Sequence, residues 1–313
     1  MKTLNSNLIK LTQLLCDGQF HDGTSIGKHL NITRAAVWKL INKLKQYDIP
    51  LSSVKGKGYQ LATPLKLLNL KEIQKHLCHK TVKLDILEKT PSTNNYLKSF
   101  VADNKKIKIC IAETQTQGKG RLDRGWHSPF GKNIYFSMLC PFEKDISELS
   151  GLSLVVSLAI CHAIESKVDL KSNELKVKWP NDIFLKEQKI AGILIEIQAE
   201  SNGNCQVIIG TGINVNMKNA AEKTIDQAWT SLLNTTKEHQ DRNILCAAIA
   251  DTLIDYFERF SKKGLSAFTK EWRERDRLIN SDISILCQDK TQKGTCVGIN
   301  NQGHLLLKTK DGK

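Results

Sequence analysis

The run Gln115-Thr116-Gln117-Gly118-Lys119-Gly120-Arg121-Leu122-Asp123-Arg124-Gly125-Trp126 puts three glycines, three cations and one indole into twelve residues. Glycines let a backbone come close to a ligand and take conformations barred to other residues. Lys119, Arg121 and Arg124 can neutralise phosphate or carboxylate charge, the arginines bidentately. Trp126 offers a flat face on which a base can stack. The simplest chemistry that uses all of them is the binding and activation of a nucleotide. A solvated basic loop needs only the cations, so the rest of the chain must decide.

Other stretches carry polar groups where a plain fold has no use for them. Thr90-Pro91-Ser92-Thr93-Asn94-Asn95 clusters hydroxyls and amides between a strand holding Leu84, Ile86 and Leu87 and a helix predicted over Tyr96 to Ala102. Ser92 or Thr93 alone would cap that helix; the surplus suits a neutral polar ligand group. In Val177-Lys178-Trp179-Pro180-Asn181-Asp182-Ile183-Phe184-Leu185, four residues interrupt an otherwise apolar strand. Pro180 removes a ladder donor and is predicted at an edge or bulge. Burying Asn181 and Asp182 without partners would cost roughly 1–3 kcal/mol each or more, which a polar site relieves, such as one holding Mg²⁺-bound phosphate. Lys189 follows a hairpin turn and opens the strand Ile190–Ile197, in which Ala191-Gly192 permits close ligand approach. Val207 to Asn216 is another apolar strand, ending in glycines and asparagines. It lacks the Gly-x-Gly-x-x-Gly spacing of a dinucleotide fold, and the chain has no Walker-type loop.

These residues need a scaffold, and from residue 83 strands alternate with helices. Ile107–Glu113 and Asn133–Cys140 read as strands and Leu149–Ile164 as a long buried helix. Hydrophobic content of 40% and charged content of 25% are ordinary for a globular protein, and 313 residues allow two or three domains. Leu152 to Ile164 is too short and too polar for a membrane span, and no secretion signal opens the chain. Nine cysteines without a Cys-x-x-Cys pair suit neither zinc nor a disulfide framework. Reduced, mostly buried thiols in the cytoplasm are the expectation.

The net charge of +14 points to an anionic partner. Residues 1–63 carry nine Lys/Arg against three Asp/Glu. Leu4, Leu8, Leu11 and Leu15 recur at helical spacing, Gly23-Thr24 starts a short second helix with Thr24 as its cap, and Thr33 caps a third. The third helix has an apolar stripe of Val37, Leu40, Ile41 and Leu44, and its other face carries Arg34, Trp38, Lys39, Asn42 and Lys43. Two strands joined by Lys55-Gly56-Lys57-Gly58 follow. That is a winged helix-turn-helix, with Arg34, Trp38 and Lys39 as base readers and Lys55 and Lys57 as phosphate contacts. The plain alternative is a helical interaction domain with solvated cations.

Ser92-Thr93-Asn94, Gln117 to Arg121, Lys178 to Asp182, Lys189 to Leu194 and Gly210 to Asn216 stand in the order seen in biotin protein ligases, and nearly the whole chain resembles that family. The winged helix resembles its bifunctional subgroup, which is also the biotin operon repressor. The resemblance implies an α+β multidomain protein: a winged helix-turn-helix over 1–63, a class II synthetase-like ligase core of mixed β-sheet with helices over 64–272, and a small SH3-like β-barrel over 273–313. It implies that biotin and MgATP form biotinyl-5′-adenylate, and that biotin moves to a lysine of the biotin carboxyl carrier protein of acetyl-CoA carboxylase. Arg121, Lys189 and Lys119 are then the catalytic cations. Ser92, Thr93, Asn94, Gln115, Gly118, Gly192 and Gly210 join those cations around biotin. Trp126, Lys178, Asn181, Asp182 and Asn214 serve ATP or the adenylate, and Asp182 serves Mg²⁺. The adenylate is further implied to order the glycine-rich loop, favour a homodimer and place two winged helices on operator DNA, with no membrane involved.

The sequence departs from the family at three places. Lys119 stands where an arginine is usual, Leu122 where a basic residue is frequent, and the chain stops at Lys313, before the family's last strands, which implies an incomplete C-terminal domain. A repressor that only senses a small molecule would not need Arg121, Asp182 and Lys189 together. A lipoate ligase shares the core fold but rarely carries this winged helix.

Overall fold

A computed structural model describes residues 3–100, 106–143, 145–171, 173–199, 205–218, 225–287 and 290–309. The first helix, α1 (Ser6–Leu15), is capped by Asn5, and α2 (Gly23–Leu30) by Asp22, whose carboxylate accepts from the Thr24 and Ser25 amides. The cap is therefore Asp22 and not Thr24: a cap sits one residue outside the helix, and Thr24 already has helical geometry. Helix α3 (Arg34–Gln46) is capped by Thr33 as predicted, and Val37, Leu40, Ile41 and Leu44 are its buried stripe. The wing is β1 (Leu51–Val54) paired antiparallel with β2 (Gly58–Leu61).

This unit is packed against the rest. Lys43 of α3 and Tyr47, the C-cap of that helix, both reach Glu88, each at 2.7 Å, and the Tyr47 ring stacks on Phe130 at 4.0 Å. Lys43, read as part of the polar face, thus turns to an internal partner.

After α4 (Leu70–His76) come β3 (Lys83–Leu87), α5 (Thr93–Lys98), β4 (Lys108–Ala112), β5 (Ile134–Phe142), α6 (Leu152–Glu165), β6 (Leu175–Lys178), β7 (Asp182–Leu185), β8 (Gln188–Ala199) and β9 (Cys205–Ile213). Helices α7 (Leu232–Thr236), α8 (Arg242–Lys263) and α9 (Thr269–Arg275) follow. The strands form one mixed seven-stranded sheet in the order β3-β4-β5-β9-β8-β7-β6, parallel only between β3 and β4. Ile109, Ile111, Phe136, Met138, Val207, Ile209, Ile213 and Ile193 point to the face covered by α6 and α8 and are buried there. Helix α5 packs on the opposite face, over Cys110, Leu139 and Ile208.

Three expectations change. Helix α5 begins at Thr93, not Tyr96, and ends at Lys98; Ala102 lies outside the described residues. The segment 177–185 is a hairpin rather than one strand: β6 and β7 pair antiparallel, and the Trp179–Asn181 turn between them contains a cis Trp179–Pro180 peptide. The helical run Ile146–Glu165, with mean hydropathy 1.6, is long and apolar enough to cross a membrane, but its α6 part is the buried core helix on the sheet.

The C-terminal part is a meander of β10 (Asp282–Cys287), β11 (Lys290–Ile299) and β12 (Leu305–Lys308), with β11 in the middle. No closed barrel forms among the described residues, and Asp311 to Lys313 lie outside them.

Candidate active site

The floor of the site is bare backbone. Register pairs Gly192 with Gly212, Leu194 with Gly210, and Ser137 of β5 with Gly210. Because strand side chains alternate, Gly192, Gly210 and Gly212 all fall on the face away from α6 and α8. A Cβ on Gly210 would lie 2.3 Å from the Asn94 amide oxygen, and one on Gly212 2.4 Å from the Trp126 indole nitrogen. The glycines therefore hold room for specific neighbours.

At one end of the floor the groups are neutral and polar. Gln115 Oε1 accepts from the Thr93 amide at 2.8 Å and from its hydroxyl at 3.1 Å. Buried Ser137 Oγ lies 2.7 Å from Thr93 Oγ1 and 2.6 Å from Asn94 Oδ1. Asn94 donates to Glu196 at 2.8 Å, and Lys98 clamps the same carboxylate at 2.7 Å. Ser92 is the α5 cap, accepting from the Asn95 amide. Asn94 and Ser92 are thus engaged within the scaffold, whereas the Gln115 amide nitrogen faces Gly118, 3.0 Å from where a Cβ there would stand.

At the other end the groups are charged. Lys189 Nζ lies 2.8 Å from Asp182 Oδ1, with side chains 13% and 24% exposed. The same ammonium stands 5.5 Å from the centroid of the Trp126 ring. Lys189 is held from behind by the Ala228 carbonyl and the Thr230 amide. Asn181 donates to the Ile193 carbonyl at 2.6 Å, which ties its turn to β8. Asn214 joins Asn133 and the Thr230 carbonyl, so its amide also braces the scaffold.

The glycine-rich run is a hairpin over this floor. The Trp126 amide donates to Gly118, the Gly120 amide to Arg124, and Lys119 bridges Gly125. Its tip is a 3₁₀ turn, Arg121–Asp123, in which Leu122 and Asp123 have φ of 55° and 54°. Leu122 is 86% exposed. Lys119 pairs with Asp123 at 3.1 Å within the loop.

Two cavities meet at Trp126. One of about 370 Å³ is lined by Ser92, Thr93, Asn94 and Gln115 at its polar end and by Lys119, Arg121, Lys178, Asn181, Asp182 and Lys189 at its charged end, with Gly192 and Gly210 beneath. The second, of about 850 Å³, is lined by Gly118, His127, Asn214, Gln227 and Trp229. Burial lowers the His127 pKa, so this imidazole is neutral near pH 7. The structure therefore brings together all fifteen expected ligand-site residues. Arg34, Trp38 and Lys39 form a separate exposed stripe on α3, with Lys55 and Lys57 exposed at the wing turn.

Sequence reading missed several supports. Ser137 was legible only as a polar break in an apolar strand. Glu113, at the end of β4, forms a buried pair with Arg242 at 2.7 Å, both side chains at most 1% exposed. It also accepts the Leu68 amide at 2.5 Å, while Arg242 donates to the Lys66 and Asn133 carbonyls. The pair thereby fastens the base of the glycine-rich hairpin to the linker and to α8. Gln227 and Trp229 line the second cavity without any motif to announce them.

The sequence profile of the biotin/lipoate A/B protein ligase family matches residues 86–214, and that of an HTH domain matches residues 7–60. The bifunctional ligase/repressor BirA of Escherichia coli is 37% identical over 97% of this chain and 92% of that protein. The BirA of Bacillus subtilis is 29% identical over 99% of this chain and 95% of its own length. The structure of biotin protein ligase from Aquifex aeolicus in complex with biotin and ATP superposes with a TM-score of 0.63 at 28% identity, covering 74% of this chain and 93% of that one.

Proposed function

The chain belongs to the bifunctional ligase/repressor family, and on that premise we propose that it attaches biotin to a protein lysine in two steps and represses transcription with the intermediate. In the first, a biotin carboxylate oxygen attacks the α-phosphorus of MgATP. The bond to pyrophosphate breaks and biotinyl-5′-AMP forms. In the second, the amine of an acceptor lysine attacks the acyl carbon, loses a proton, and AMP leaves. The acceptor is the biotin carboxyl carrier protein of acetyl-CoA carboxylase.

One observation carries this reading: a neutral polar pocket and a cationic pocket share a single glycine floor. Thr93 and Gln115 suit the ureido group, leaving the biotin carboxylate toward Lys189, Arg121 and Lys119. These cations offset the repulsion between carboxylate and phosphate and stabilise the charge of the transition state. Lys189 rests on Asp182, and Lys119 on Asp123; phosphate exchanges these partners. Ser92, Asn94, Asn181 and Asn214 act mainly by holding the walls, and Trp126 stacks beside adenine, with Lys178 at the phosphates. Mg²⁺ enters with ATP as part of the substrate. Asp182 fits it as the one carboxylate that phosphate-borne Mg²⁺ commonly takes, and among the described residues no group of three His, Cys, Asp or Glu could hold a resident metal.

Residues 1–63 form the operator-binding unit, 64–272 the ligase core, and 273–313 an SH3-like module of which β10–β12 are part. Adenylate orders the hairpin 118–126 and favours a homodimer, which sets two recognition helices on a palindromic operator. Such a protein works in the cytoplasm, with its DNA and its acceptor. The test is biotin-dependent exchange of labelled pyrophosphate into ATP, with lipoate as a competing acid. Exchange that needs biotin and falls by about 100-fold or more in Lys189→Ala is the expected result; exchange driven by lipoate instead, or none at all, would sink the reading.

A further inference from the structure

Three elements that are distant in sequence meet at the first turn of α6. Ser150 Oγ donates to the Gln302 carbonyl at 2.5 Å, and Ser153 Oγ donates to the Pro180 carbonyl at 2.9 Å. Gly151 caps the helix at φ 80°. Against it sits Gly303, at φ 78°, where a Cβ would lie 2.9 Å from the Gly151 Cα. Only glycine allows that approach with that backbone.

Trp179 closes the ring of contacts. Its indole packs on the hydrophobic core, and its N–H donates to the Gly303 carbonyl at 3.0 Å. The N–H of a half-buried indole needs a partner, and this one is turned to the C-terminal meander. The β11–β12 turn is itself closed, with Asn300 and His304 bonded amide to carbonyl at 2.9 Å. It is therefore a rigid stop behind the Trp179–Asn181 turn. On the other side of that turn, Asn181 exchanges hydrogen bonds with Ile193 of β8 at 2.6 and 3.0 Å.

We propose that Trp179 is a positioning residue for the nucleotide: by gripping Gly303 it makes the C-terminal meander set the placement of Lys178 and Asp182. The proposal rests on the adenylation reading. It concerns the phosphate end of the cleft only, because the Thr93–Gln115–Ser137 network has its own supports on α5, β4 and β5.

The test measures pyrophosphate exchange for wild type, Trp179→Phe, which keeps the ring and loses the donor, and Ser150→Ala, which loosens the same turn from its far side. In both variants the KM for ATP should rise roughly three- to tenfold, the effect of one lost hydrogen bond, while the KM for biotin stays within about twofold. Thermal melts report whether each variant is folded. An unchanged KM for ATP would overturn the proposal, as would KM values for ATP and biotin that rise together. A rise in Trp179→Phe without one in Ser150→Ala would also overturn it, since Trp179 would then act alone. If Trp179→Phe does not fold, Ser150→Ala decides: an ATP-selective rise supports the clamp, and its absence rejects it. No exchange in the wild type would reject the ligase reading and the clamp together.

Discussion

The two faces of the seven-stranded sheet are built to opposite rules. Toward α6 and α8 the strands present Ile, Val, Phe and Met, and the buried ion pair Glu113–Arg242 there has both carboxylate oxygens and both terminal guanidinium nitrogens engaged, with only the Arg242 Nε unpartnered. Toward the glycine-rich hairpin the same strands present Gly192, Gly210, Gly212, Ser137 and Glu196. Strand parity thus assigns alternate residues to stability and to chemistry. The contrast lies less in polarity than in completeness: the helix-covered face fills its space, and the cleft face leaves it.

Substitutions that cross this division should have separable effects. The largest is expected from Glu113→Ala, which strands a buried guanidinium and should cost about 3–5 kcal/mol of folding free energy; a chemical denaturation midpoint near that of wild type would break the contrast. Gly212→Ala should leave stability nearly intact while pushing the Trp126 indole out of its slot, since a Cβ would stand 2.4 Å from it. A displaced indole should lower exchange by roughly tenfold or more, about 1.4 kcal/mol or more of lost transition-state stabilisation, and unchanged kinetics would mean that the slot is not used. Asp276, buried beside the C-terminal meander, should sharpen the picture through pH. Desolvation raises its pKa from 3.8, and its second carboxylate oxygen has no hydrogen-bond partner. The folded state then holds a proton that the unfolded state releases, so stability falls as pH rises from about 4 through the raised value. Asp276→Asn should show no gain in melting temperature below pH 4 and a growing gain above it; a gain independent of pH would contradict the assignment. The smallest effect is expected for Thr211→Val. Thr211 lies on the helix-covered side by parity, its buried hydroxyl lacks a partner, and replacing it with a methyl should stabilise by about 1 kcal/mol with exchange unaltered.

What could be read from the chain was whatever is local. Apolar spacing marked α1 and α3, and dense clusters such as Gly118 to Trp126 announced ligand chemistry because a plain loop has no use for them. Pairing was not legible. Nothing in Val177 to Leu185 says that the chain reverses at Pro180, because the reversal is decided by β8 and α6 on either side. Ser137 and Glu196 join the site only through register, which sequence period cannot supply for strands so distant from one another. Asp22 was overlooked as a cap because Thr24, two residues on, is an equally good capping residue type.

The glycine floor has one more consequence. Asn94 and Trp126 occupy the room the glycines leave, and a molecule seated in the cavity between them becomes part of the packing. Folding and ligand supply are then linked: a ligand present at a hundred times its dissociation constant adds about 2.7 kcal/mol to the folded state. The melting temperature of this protein should therefore act as a gauge of how much biotin and nucleotide surround it.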